Sequence, residues 1–211
     1  MNTKILKQCE EAINEIIRVL RRGEVVVLAS DNTYGLFANA QNREAVDKIY
    51  QLKGRDASKP LGLYINREKI SNYAVVAKGL DKIIDLWPCP ITIILPRKET
   101  VPDYVTKGYN SILMVCPDNY CIKLNRLCDF PITCTSANLS GQKAIVDFAE
   151  AYETFHGKVA LIVDGGMNKH GQNGTIVDFS KEVPTILRIG PYSADEIRNL
   201  IPEVIIAEKL I

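Results

Sequence analysis

The stretch VALIVDGGMNKHGQNGTIVDFSKEVPTILRIG, residues 159–190, decides the fold class. It holds three apolar runs rich in β-branched residues: VALIVDGG (159–166), TIVDFS (175–180) and PTILRIG (184–190). Each reads as a short strand. Three strands in a row with turn-like connections argue against a wholly parallel, doubly wound sheet.

Upstream the pattern alternates. EVVVLAS (24–30), LGLYI (61–65), ITIIL (91–95), ILMVC (112–116) and PITCTS (131–136) read as further strands. Leu6, Cys9, Ile13, Ile16 and Leu20 recur at three- and four-residue steps, one face of a helix that Gly23 would stop. Residues 43–53 repeat the pattern with Ala45, Val46, Ile49, Tyr50 and Leu52. Asp118 is placed to cap a helix running to Cys128, and Ser193 with Glu196 forms a capping-box signature. Helices interspersed with strands predict an α/β fold with a mixed, twisted sheet. There is no internal repeat or Ser/Gly-rich linker, so one domain over 1–211 is expected, with its core at about 13–198.

Composition narrows the function classes without naming one. Of 211 residues, 46% are hydrophobic and 24% charged, which excludes a disordered or fibrous chain. Lys plus Arg number 26 against 25 Asp plus Glu, a net charge of +1. That balance lacks the basic excess of a protein that wraps a duplex, so any phosphate chemistry must come from a local patch. Glu10, Glu11 and Glu15 interrupt the N-terminal apolar pattern, unlike a signal peptide. No stretch approaches the roughly 18 apolar residues of a membrane span. The six cysteines form no C-x-x-C pair, and His156 and His170 are too few for zinc spacings. Reduced thiols, no metal site and a cytoplasmic location are the expectation.

Four segments concentrate chemistry. YQLKGRDASKP (50–60) sets Lys53, Arg55 and Lys59 within seven residues at a helix end, able to aim three cations at one polyphosphate. Taken alone, a solvated helix end is the plainer reading of this segment. TCTSANLSG (133–141) crowds Thr135, Ser136, Asn138 and Ser140 at a strand end, where ligand crevices of α/β sheets lie; a self-satisfying polar turn is its plainer reading. SDNTYGL (30–36) leaves another strand. DGGMNKHGQNGTIVD (164–178) carries four glycines, suited to a mobile lid or a close backbone approach. Arg188 lies near a strand end, as a phosphate ligand or a sheet-edge charge.

Together these segments resemble the YrdC family. The matching pieces, in the family's order, are D-x-x-YGL (31–36), KGR (53–55), KP (59–60), WPCPITIIL (87–95), TSANLSG (135–141), DGG (164–166), TIVD (175–178) and LRIG (187–190). The resemblance implies an open twisted mixed sheet with flanking helices around a concave basic site. It implies an ATP-dependent nucleotidyltransferase that condenses L-threonine, bicarbonate (or CO₂) and ATP to L-threonylcarbamoyladenylate, with release of pyrophosphate. That product serves threonylcarbamoyladenosine formation at tRNA A37 with partner proteins, and tRNA or double-stranded RNA is a further implied partner. The short length resembles the family's single-domain form.

Carried over by position, Lys53 and Arg55 match the catalytic pair that contacts the nucleotide phosphates. Lys59, Ser136, Asn138 and Arg188 match the other nucleotide-binding residues. Ser30, Asn32, Tyr34, Thr135 and Thr175 fall on the substrate side. Mg²⁺ is expected to arrive on the ATP phosphates. Such chemistry needs charge placed where oxygens gather it, more than a covalent nucleophile.

Departures surround this site. ASDNTYGL replaces PTDTVYGL, leaving Ser30 and Asn32 where threonines are usual. Tyr64 stands at a common histidine, Val115 at the arginine before the proline, and Gly174 at the STVVD serine. Two alternatives therefore stay open beside the synthase. One is an altered paralogue that binds nucleotide or RNA without the standard reaction. The other is an enzyme applying the same adenylation to a different amine.

Overall fold

The computed structural model describes residues 2–210 apart from 55 and 57. The strands are β1 (Lys4–Lys7), β2 (Val26–Ala29), β3 (Tyr34–Asn39), β4 (Gly62–Tyr64), β5 (Ile91–Pro96), β6 (Ser111–Val115), β7 (Ile132–Ser136), β8 (Leu161–Asp164), β9 (Thr175–Asp178), β10 (Thr185–Arg188) and β11 (Ile205–Ile206). The helices are α1 (Glu10–Arg21), α2 (Arg43–Lys53), α3 (Ile70–Tyr73), α4 (Asp81–Ile84), α5 (Asp103–Thr106), α6 (Asn119–Leu127), α7 (Phe148–Phe155) and α8 (Ala194–Leu200).

Helix ends follow local chemistry. Asn42 accepts from the Ala45 amide to start α2, and Gly54 ends it in the left-handed region at φ 54°. Asp118 caps α6 through the Cys121 amide, and α6 gives way at Cys128 as read from sequence. Ser193 and Glu196 close a reciprocal capping box on α8. α1 buries Ala12, Ile13, Ile16, Ile17, Val19 and Leu20 against β2 and β3.

All eleven strands form one open mixed sheet in the order β1-β8-β2-β3-β7-β4-β6-β5-β9-β10-β11. β2 pairs antiparallel with β3, β3 with β7, and β7 with β4. β4 runs parallel to β6, β6 antiparallel to β5, and β5 parallel to β9. The mixed sheet read from the late strands is therefore present, and β9–β10 is the antiparallel pair it required.

Three local expectations change. Leu6 belongs to β1, not to a helix face: its segment pairs in parallel with β8, Leu6 opposite Val163, and the helix starts only after Cys9. YGLFAN is a strand, not merely a strand exit. The link from β8 to β9 is no turn between neighbours, because six strands separate the two in the sheet. All six cysteines are thiols. Among the described residues, no helix is long and apolar enough to cross a membrane.

Candidate functional site

A cavity of about 220 Å³ opens on one face of the central strands. Its wall follows the period of two that strand geometry imposes. Gly35 and Phe37 come from β3, Gly62 and Tyr64 from β4, and Leu113 and Val115 from β6. β7 adds Cys134, Thr135 and Ser136, the 30–33 turn adds Ser30 and Asn32, and Gly174 and Arg188 close the far side. The floor depends on missing side chains. A Cβ on Gly35 would meet the Phe37 ring at 2.7 Å, and one on Gly62 the Leu113 side chain at 2.5 Å. A larger recess of about 460 Å³ beside Lys48 and Lys158 holds none of the expected site residues.

The 30–33 turn is held by its own first residue. The Ser30 hydroxyl donates to the Thr33 carbonyl at 2.8 Å and accepts from the amides of Asn32 (3.3 Å) and Thr33 (3.4 Å). From outside, the buried Asp118 carboxylate accepts the Asp31 amide at 3.1 Å, together with the Cys121 amide (2.7 Å) and the Tyr64 hydroxyl (3.1 Å). Burial raises the Asp118 carboxyl above its ordinary value, against the pull of the donated amides. One carboxylate thus ties a helix start, a strand side chain and the 30–33 turn together.

The β7 turn has a different clasp. The Lys53 ammonium donates to the carbonyls of Ser136 and Asn138 and to the Asn138 carboxamide. Ser136 donates to the same carboxamide oxygen at 2.6 Å, while its nitrogen bonds the Leu139 and Gln142 carbonyls. Lys53 is only 2% exposed and lies behind the cavity wall. Lys59 is exposed outside that wall, its carbonyl taking the Tyr50 hydroxyl at 2.8 Å. Arg55 lies outside the described residues. Of the four cations gathered from sequence, Arg188 is the one seen lining the cavity. Its Nε donates to the Gly174 carbonyl at 2.9 Å, and burial lowers its pKa. Among the described residues it forms no ion pair.

The other sequence candidates divide. Ser30, Asn32, Thr135 and Ser136 line the cavity. Tyr34 and Thr175 do not. The Tyr34 hydroxyl accepts the Gly165 amide (3.2 Å) and donates to the Gly166 carbonyl (2.9 Å), and burial pushes its pKa up to about 12. Thr175 is wholly buried, donating to the Tyr192 carbonyl and accepting the Gly190 and Tyr192 amides. The glycine-rich segment is anchored in turn by Asn168 on Val146 and Ser30, and by the His170 amide on the Asp31 carbonyl at 2.8 Å.

Sequence reading missed Phe37, Thr92, Leu113, Cys134 and Asn173, which also line the cavity. Alternation along each strand was their available signal, but it needed the strand order to show which faces meet. The Cys134 thiol is pushed up to about 12 by burial, which makes it a wall residue and a poor nucleophile.

The comparisons agree with this geometry. Residues 18–190 match the Sua5, YciO and YrdC family model, described as telomere recombination. A threonylcarbamoyl-AMP synthase of Pyrococcus abyssi is 33% identical over 191 residues, covering 88% of this chain and 56% of that protein. A putative threonylcarbamoyl-AMP synthase of Methanocaldococcus jannaschii is 34% identical over 193 residues, covering 89% of this chain and 91% of that one. The crystal structure of Pyrococcus abyssi Sua5 complexed with L-threonine has a TM-score of 0.90 at 30% identity, covering 98% of this chain and 63% of that one. The chain thus spans little more than half of the Pyrococcus relative. The family model, the relatives and the shared sheet converge: this chain belongs to the Sua5/YciO/YrdC family.

Proposed function

We propose that the chain makes L-threonylcarbamoyladenylate from L-threonine, bicarbonate (or CO₂) and ATP, acting as a nucleotidyltransferase that supplies tRNA A37 modification. The observation that carries the reading is Arg188, a partly buried guanidinium that lines the cavity with no carboxylate partner among the described residues. A fork of that kind suits phosphate or carboxylate oxygens. The Ser136–Asn138 turn beside it is held rigid by Lys53. In the reaction, the threonine amine attacks the bicarbonate carbon and water leaves to give a carbamate, whose oxygen then attacks the α-phosphorus as the bond to pyrophosphate breaks and pyrophosphate leaves. The described residues supply position and electrostatic stabilisation, and burial keeps the one thiol on the wall protonated. The polar lining of hydroxyls, carboxamides and a guanidinium suits an anion better than a bare cation, so Mg²⁺ would come bound to the triphosphate. Relatives named threonylcarbamoyl-AMP synthases support the assignment.

The test is pyrophosphate release by purified protein given ATP, L-threonine and bicarbonate, beside a panel of other amino acids. Threonine-dependent release is expected. No release, with a working control enzyme alongside, would sink the reading. Release with another amine would retain the adenylation and change the substrate. Val115 and Tyr64 on the cavity wall favour a second reading, a paralogue that binds nucleotide or RNA without turnover. RNA affinity that falls steeply with salt, in a protein that releases no pyrophosphate, is its signature.

A further inference from the structure

The sequence holds a single Asn–Gly pair, Asn173–Gly174, at the end of the glycine-rich segment that leads into β9. Both residues line the cavity, Asn173 exposed and Gly174 buried in the wall. Packing demands the glycine: a Cβ there would lie 2.6 Å from the Pro90 carbonyl oxygen and 3.2 Å from the Asn32 nitrogen. Just after the pair the backbone is pinned. The Gly174 carbonyl accepts from Arg188 Nε at 2.9 Å, and the Thr175 amide donates to the Pro90 carbonyl at 2.9 Å. The Gly174 amide and the Asn173 carboxamide, by contrast, make no hydrogen bond among the described residues.

That combination is chemically labile. The backbone nitrogen after an asparagine can attack the carboxamide carbon. A new N–C bond closes a succinimide ring, the carboxamide C–N bond breaks, and ammonia leaves carrying the amide proton. Water then opens the ring to aspartate or isoaspartate. A side chain on the following residue obstructs the attack, and glycine has none. The Arg188 cation on the Gly174 peptide favours the amide anion that attacks. We infer that Asn173 is a deamidation site whose product places a carboxylate in the cavity beside Arg188. The consequence rests on the proposed nucleotide reading: the new carboxylate takes the guanidinium fork that phosphate oxygens would use, and repels them. The fold cannot escape this by changing Gly174, because Pro90 leaves no room for a side chain. Nucleotide affinity therefore decays irreversibly, on a clock set by the chain's own chemistry.

The test incubates the purified chain in weakly alkaline buffer, with mass spectrometry of its proteolytic peptides and ATP titration at intervals. Asn173→Gln and Asn173→Asp are carried alongside. The peptide holding Asn173 should gain the mass of an amide-to-acid change, and contain isoaspartate, ahead of every other asparagine peptide. ATP affinity should fall in step, by about tenfold or more in the converted protein. Asn173→Asp should start at a similarly lowered affinity. Asn173→Gln, whose longer side chain closes its ring far more slowly, should hold its own starting affinity throughout. In an Arg188→Met background Asn173→Asp should cost less affinity, because the cation it pairs with is gone. Conversion at Asn173 no faster than at asparagines followed by larger residues overturns the inference, as does conversion that leaves ATP affinity unchanged. Fresh wild type that binds no ATP defeats the nucleotide reading instead, while the mass change still decides the modification.

Discussion

The Lys53 ammonium meets the Asn138 carboxamide oxygen at 3.0 Å and the Asn138 backbone carbonyl at 2.9 Å. The cation is thereby a buttress of the β7 turn, and the turn's polar atoms owe their positions to it. Replacing Lys53 with Met leaves those carbonyls without their donor and should cost about 1–3 kcal/mol. Urea unfolding checks the stability loss. ATP titration should show weaker binding as well, because Ser136 loses a fixed partner.

Arg188 gives the complementary case, a cation that faces the cavity. Arg188→Met should lower ATP affinity by about 10- to 100-fold, the range of a charged hydrogen-bonded contact. Arg188→Lys should recover only part, because an ammonium cannot reproduce the guanidinium fork. Affinities measured at two salt concentrations should show the wild type more salt-sensitive than Arg188→Met.

Asp118 predicts a pH dependence of stability. Its folded pKa is raised by burial, so between the ordinary value of 3.8 and that higher value the folded state holds more proton than the unfolded chain. Stability from this group is present below about pH 3.8 and declines as pH rises through the folded pKa. Asp118→Asn should lack that declining component while losing about 1–3 kcal/mol, since an amide cannot accept all three present donors. Unfolding free energies for both proteins from pH 3.5 to 6.5, about the window in question, check the sign.

Tyr34→Phe removes the hydroxyl shared by Gly165 and Gly166. It should cost about 1–3 kcal/mol and speed hydrogen exchange at the Gly165 amide. Unchanged exchange there would mean that other bonds suffice to fix the segment.

How far the sequence spoke depends on the range of the interaction. The Asn42, Asp118 and Ser193 caps act across three residues, and two of them were legible as local patterns. β1 was not, because its strand state exists only by pairing with β8, some 157 residues away. YGLFAN has no β-branched residue and is a strand because β2 and β7 flank it. Thr175 matched a motif, but its hydroxyl holds the backbone at Gly190 and Tyr192, a partner set that only the return of the segment after β10 to the start of β9 reveals. Asn32 was singled out as a departure; its tie to Gly174 required coordinates.

The strand order also carries a requirement of chain length. Asp164 ends β8 and Thr175 begins β9, with six strands between them. On a flat sheet that separation would be about 34 Å at roughly 4.8 Å per strand. The connecting backbone, pulled straight, reaches only about 37 Å. It is not straight, since Gly166 and Gly171 turn at positive φ and Asn168 and His170 are tied down along the way. A flat sheet is therefore closed to this chain. The sheet has to curl until its distant strands approach, and the hollow that holds Arg188 and Asn32 is the inside of that curl.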